Sequence, residues 1–159
     1  MNMENRYLYK SKRLDNGEWV QGIPFEIEGK QVILINDNEN FLKVHYLEEN
    51  MWNTEIYAIE VEASTICQCT GLKDKNGKLI WENDIVKELF GRGCALIKYG
   101  SYQNCFDSTK AEHIGFYVDW FGRYAKSRRK DLGYWINMVD AEIVGNIFDN
   151  PELLESEEI

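Results

Sequence analysis

Few residues in this chain have the type and spacing to do chemistry, and they fall into four groups. Cys67 and Cys69 stand two apart, so on a strand their thiols share a face, and with Cys94 and Cys105 they could form a tetrahedral zinc site. The spacing does not match a zinc knuckle, and cysteine is among the most often buried residue types, so buried free thiols are the favoured reading. His45 and His113 are far apart in sequence, with no nucleophile at a recognisable spacing. Glu82 and Asp84 form a carboxylate pair, but at a sharp corner such side chains more often accept from backbone amides and shape the turn. The fourth group is the segment Phe116–Lys130, FYVDWFGRYAKSRRK, in which aromatic residues are interleaved with or followed by five bases. Tyr117 and Trp120 could stack on bases while Arg123, Lys126, Arg128, Arg129 and Lys130 neutralise phosphates, as in a single-strand binding ribbon. Against that stands the ordinary use of such residues, aromatics in a β core and a charged loop tip in solvent. No catalytic residue, cofactor site or metal site is nominated.

Charge weighs the same way. The net charge is −9, and the terminal nine residues hold four glutamates and no base, so −9 less the tail's −4 leaves −5 on the body. An acidic body does not attract a phosphate backbone as a whole, and nucleic acid is therefore a possible but not favoured partner. No apolar run approaches the roughly 20 residues of a membrane span, and the N-terminus lacks the apolar stretch of a secretory signal. The expectation is a cytoplasmic protein with reduced thiols, no cofactor and no membrane partner.

The elements that would position these residues are mostly strands. Asp15-Asn16-Gly17, Glu28-Gly29-Lys30 and Asp74-Lys75-Asn76-Gly77 carry the Asn and Gly chemistry of tight turns. Between them Trp19, Ile23, Phe25 and Ile27 alternate with polar or breaking residues, which predicts a strand with one buried face. Pro24 lacks a ladder donor, which predicts that this strand lies at an edge. Val32–Ile35 reads as a strand buried on both faces, and Thr54–Cys69 as a return of β structure. The second half offers Leu79–Trp81, a corner at Glu82-Asn83-Asp84, strands at Ile85–Leu89 and Cys94–Tyr99 around Gly91-Arg92-Gly93, an aromatic strand at Ile114–Phe121, and a helical turn near Asp107–Glu112 capped by Asp107. Tyr134–Ile136 reads as a further short strand. Ala141–Phe148 reads as the last, with Gly145 marking a bulge or close approach. Asn150-Pro151 opens a short terminal helix. The organisation predicted is an N-terminal β lobe over 1–69, a C-terminal β lobe over 70–150, and a short helix with an acidic tail over 151–159.

Two blocks, CTGLKDKNGKLIWENDIV over 69–86 and EIVGNIFDNPELL over 142–154, resemble the signature blocks of the YopX family, roughly YTGLKDKNGKEIYEGDIV and EVIGNIYENPEL. The resemblance runs from about Tyr7 to Leu154. Cys69 stands where an aromatic residue is usual and Asn83 where glycine is usual, and Asn is the best replacement for glycine at positive φ. Membership implies a phage- or prophage-encoded, mainly antiparallel β protein with an SH3-like barrel in the second lobe; it brings no mechanism. The function expected is a non-enzymatic binding or assembly module acting as a homo-oligomer or with an unknown protein partner. A nucleic-acid-associated regulator working through residues 116–130 is the alternative, and an enzyme the least favoured class. Self-association is expected at open β edges, with Trp52, Trp120 and Trp135 at the interface.

Overall fold

A computed structural model describes residues 7–35, 57–87, 93–121 and 125–155. The described chain is mainly antiparallel β with few helices, and it falls into two compact units, Tyr7–Gln68 and the part from Cys69 onward.

The first unit holds β1 (Tyr9–Lys12), β2 (Trp19–Ile27), β3 (Lys30–Ile35) and β4 (Tyr57–Glu60), each antiparallel to the next. The predicted turns form as their chemistry requires: Gly17 has φ +73°, and Glu28 and Gly29 have φ +52° and +79° in the two-residue loop between the paired Ile27 and Lys30. After β4, an isolated bridge between Arg13 and Val61 brings the chain back to the end of β1. Ser11 and Thr65 lock that return: their buried hydroxyls lie 2.9 Å apart, Ser11 Oγ donates to the Glu62 carbonyl, and Thr65 Oγ1 accepts from Lys12 N–H. The first two residues of β5 (Cys67–Lys73) pair with β1.

Two expectations for β2 are corrected. The strand is internal: β1 pairs with Trp19–Gly22 and β3 with Ile23–Ile27. Pro24 is tolerated because it lies two residues beyond the last β1 rung, where no ladder bond is required of its missing N–H. The alternation is also real but faces the other way. Ile23, Phe25 and Ile27 are 56%, 56% and 41% exposed, whereas Gly22 is buried and packs so closely on β3 that a Cβ would overlap the Leu34 carbonyl oxygen and lie 2.7 Å from Ile33 Cγ2. Only glycine fits at 22, where β2 and β3 approach this closely, and the large apolar residues Ile23, Phe25 and Ile27 are left exposed.

In the second unit the rest of β5 pairs with β6 (Leu79–Trp81) around the turn at residues 74–78, where Gly77 has the expected positive φ of +80°. The register shifts between Cys69 and Lys73, around Gly71 at φ +76°. A second sheet contains β7 (Asp84–Lys87), β8 (Cys94–Tyr102), β9 (His113–Trp120) and β10 (Glu142–Asn146) in the order β10-β7-β8-β9. Gly91 and Arg92, read as the β7–β8 turn, lie outside the described residues, as do His45, Trp52, Arg123 and the whole of 36–56. The strands close no barrel among the described residues. The edge strand β9 is bound by the segment before the next helix through Val118 N–H and the Lys130 carbonyl.

Residues 134–136, expected as a strand, belong to helix α1 (Leu132–Met138). Leu132, Trp135 and Ile136 recur at helical spacing and are all buried, and joining the core of Ile80, Val86, Ala95, Ile97, Val118 and Trp120 outweighs the local β preference of Tyr-Trp-Ile. The helical turn expected near 107–112 is a pair of turns instead. Asp107 closes one through its backbone, its carbonyl accepting from Lys110 N–H, while its carboxylate goes to His113. Gly145 marks both a register shift and a close approach, since a Cβ there would sit 2.5 Å from Asn150 Oδ1. The terminal helix α2 spans Glu152–Glu155 directly after Pro151. No helix among the described residues is long and apolar enough to cross a membrane.

Candidate binding site

The aromatic and basic segment folds back along β9 and is fixed there by one buried amide and one carboxylate. Asn104 donates from Nδ2 to Asp131 Oδ2 at 2.7 Å and accepts from Lys130 N–H at its Oδ1 at 2.9 Å, which clasps the loop after β8 to the segment leading into α1. Asp131 also receives Arg129 Nε at 3.0 Å and, more weakly, the Tyr102 hydroxyl at 3.4 Å. Burial works against ionisation of Asp131, but the donors from Asn104 and Arg129 outweigh it and hold the carboxyl below its usual range. The same surroundings act oppositely on Tyr102, whose hydroxyl is pushed up by burial and by the Asp131 charge. Trp135 Nε1 donates to the Arg129 carbonyl at 2.8 Å, tying the backbone to α1.

The residues nominated from sequence are thus brought together in part, though not as an exposed stacking ribbon. Trp120 is 4% exposed and lies 4.6 Å from the Trp135 ring in the core, so neither indole is positioned for an interface. The Trp120 Nε1 donor has no acceptor among the described residues. Tyr117 is half-buried and stacked 5.3 Å from Tyr102, which stacks in turn on His113. Arg128 covers the Trp120 ring at 4.4 Å. Lys130 lies over Tyr117 at 5.4 Å and 3.7 Å from Asp119, the carboxylate that also pairs with Lys98. Lys126 is exposed.

Arg129 has a different setting. Its guanidinium carbon lies 4.8 Å from the centre of Tyr134 and 6.0 Å from that of Phe106, and these three residues with Ser127, Arg128 and Trp135 line an open recess of about 350 Å³. Reasoning from sequence missed Phe106, Tyr134, Asn104 and Asp131. Phe106 sits in a stretch without periodicity, and Tyr134 opens a run of three β-formers that reads locally as a strand. Helical spacing of Leu132, Trp135 and Ile136 was the available signal.

The other candidates resolve into backbone chemistry. Asp84 is buried and accepts from Trp81 N–H at 2.9 Å, as expected of a corner carboxylate. Cys67 and Cys69 are buried on one face of β5, and Cys67 donates weakly to the Thr65 carbonyl. No group of three or more His, Cys, Asp or Glu among the described residues could hold a metal ion. His113 Nε2 does meet an acid, Asp107 Oδ2 at 2.6 Å, six residues back on the same loop.

The two long sequence blocks meet in space. Asp74 Oδ1 accepts from Asn76 N–H and Lys78 N–H, closing the turn, and its Oδ2 accepts from Ile143 N–H on β10. Burial opposes the charge on Asp74, and the amides of Ile143, Lys78 and Asn76 more than offset it, so the carboxyl titrates below its usual range. Lys75 reinforces the junction through its N–H to the Ala141 carbonyl and its ammonium to Glu142 at 2.7 Å. At the corner, Asn83 takes φ +66°, accepts from Ile147 N–H and donates to the Ile97 carbonyl. Residues 8–155 match the YopX protein family model, and the chain belongs to that family. No curated protein matches it.

Proposed function

We propose that the chain is a phage- or prophage-encoded, non-enzymatic binding and assembly module that works in the host cytoplasm as a homo-oligomer. The observation that carries this reading is the outer face of the first unit. Ile23, Phe25 and Ile27 form an exposed apolar row across from Leu34 and Val32, bounded by the Lys30–Glu60 ion pair on one side and by Trp19 with Lys10 and Lys12 over its ring on the other. An apolar stripe inside a polar rim is the composition of a protein interface, and about a two-fold axis the same patch of two copies meets itself. The chain's negative charge favours closed species over open aggregation. Light scattering coupled to gel filtration across a dilution series tests it. The expected mass is a multiple of 18.7 kDa that Phe25→Asp returns to the monomer, and a wild-type mass of 18.7 kDa at high concentration overturns the reading.

For the second unit an SH3-like topology is proposed, supported by the β7-β8-β9 meander with β10 returning beside β7. Superposition of an experimental structure on SH3 domains tests that relation.

A further inference from the structure

The recess between the loop after β8 and α1 makes no use of the apolar stripe on β2, and its chemistry points to a small ligand. Two features mark its walls. Phe106 is 66% exposed and Tyr134 37% exposed, although the neighbouring Trp120 and Trp135 are buried. Both exposed rings stand beside one guanidinium, Arg129. That guanidinium is held by its Nε hydrogen bond to Asp131, and a fork fixed at Nε presents its terminal N–H donors in a set plane. The mount is rigid, because the Asn104 clasp fixes the Phe106 loop to the Arg129 segment and Trp135 Nε1 holds the Arg129 carbonyl. Arg128, also in the wall, is stacked on Trp120. From Lys126 to Asp131 there are four bases and one acid, and with Asp119 beside Lys130 the count is four against two, in a chain whose net charge is −9. The local field therefore favours an anion where the whole molecule does not.

Planar rings with a phosphate-matching fork between them select a ligand that is flat and aromatic at one end and anionic at the other. At about 350 Å³ the recess lies near the lower end of small-molecule sites, with room for one base and its phosphate and none for a duplex. From this geometry we infer that the recess binds a nucleoside 5′-phosphate, its base stacked on Phe106, the more exposed ring, and its phosphate on Arg129 and Arg128. A free nucleotide and the 5′ end of a single strand present the same group.

The test is calorimetric titration of the full chain with AMP and, separately, with a short 5′-phosphorylated oligoadenylate, with inorganic phosphate and adenosine as reference probes. Saturable binding of AMP below about 1 mM is expected, together with a loss of about tenfold or more in Phe106→Ala and in Arg129→Lys. Phe106 is exposed, so its variant is expected to keep the wild-type melting curve, which separates loss of a stacking wall from loss of the fold. AMP binding without oligonucleotide binding identifies the free nucleotide as the source. Oligonucleotide binding at least as tight identifies a strand end. No binding of either, affinity for phosphate or adenosine equal to that for AMP, or an unchanged affinity in Phe106→Ala overturns the inference. Because the apolar stripe on β2 has no part in this site, failure here leaves the assembly reading standing, and a monomeric protein leaves this one standing.

Discussion

Asp74→Asn removes one charge and one acceptor from the point where the turn after β5 is joined to β10. In the native protein a buried carboxylate accepts three amide hydrogen bonds, two at 2.9 Å within the turn and one at 3.1 Å from Ile143. The asparagine side chain is close in size but keeps a single acceptor oxygen. If that oxygen serves the turn, its NH2 group faces the Ile143 N–H, donor against donor. A hydrogen bond to a charged group contributes about 1.5–3 kcal/mol, so Asp74→Asn is expected to cost about 2–3 kcal/mol. Asp74→Ala leaves all three donors without the carboxylate and is expected to cost about 3–5 kcal/mol. The pH dependence follows from the lowered pKa of Asp74. A carboxyl titrating lower in the folded than in the unfolded chain contributes stability that is full above the unfolded value, about 3.9, and is lost as the pH falls through the folded value. The difference between wild type and Asp74→Asn should therefore be largest near neutrality and shrink on acidification below about pH 4. Urea unfolding of both proteins from neutral pH to about pH 3 measures it. Equal unfolding midpoints at neutral pH, or a gap that fails to narrow in acid, would refute the claim that this carboxylate joins the two blocks.

Three further outcomes are expected. Gly22→Ala places a Cβ against the Leu34 carbonyl and should destabilise the first unit by about 1–3 kcal/mol, visible as a lower thermal midpoint, although alanine has the higher strand propensity. Gly77→Val puts a β-branched residue at φ +80° and should cost about 1–3 kcal/mol, whereas the open space around that Cβ position means that strain alone, without a clash, accounts for the loss; a variant melting with the wild type contradicts the assignment. Elemental analysis should find no stoichiometric zinc, and chelator should leave the melting curve unchanged, since the Cys67 and Cys69 thiols are buried in the β5 wall; one zinc per chain contradicts this.

The turns were legible from sequence because their determinants are local. Asn-Gly and Glu-Gly pairs, the positive φ at Asn83 and the demand for glycine at 145 each depend on a few neighbouring residues, and all occur where the side chains require them. Strand positions were legible too, since period two survives whichever way a strand faces. The direction of that face was not. At β2 the large residues Ile23, Phe25 and Ile27 lie exposed while Gly22 is buried against Leu34 and Ile33, and which face is covered belongs to the packing of the folded chain, not to the strand alone. Tyr134–Ile136 is helical for a related reason: three adjacent β-formers have a local preference, and the core that draws Leu132, Trp135 and Ile136 into a helix is assembled from strands elsewhere in the chain. The recess lies furthest from view. Phe106 and Arg129 are 23 positions apart, and what places both beside Tyr134 is the Asn104 clasp on Asp131 and Lys130, a pairing of side chains that no periodicity encodes and only the folded chain brings within hydrogen-bonding distance.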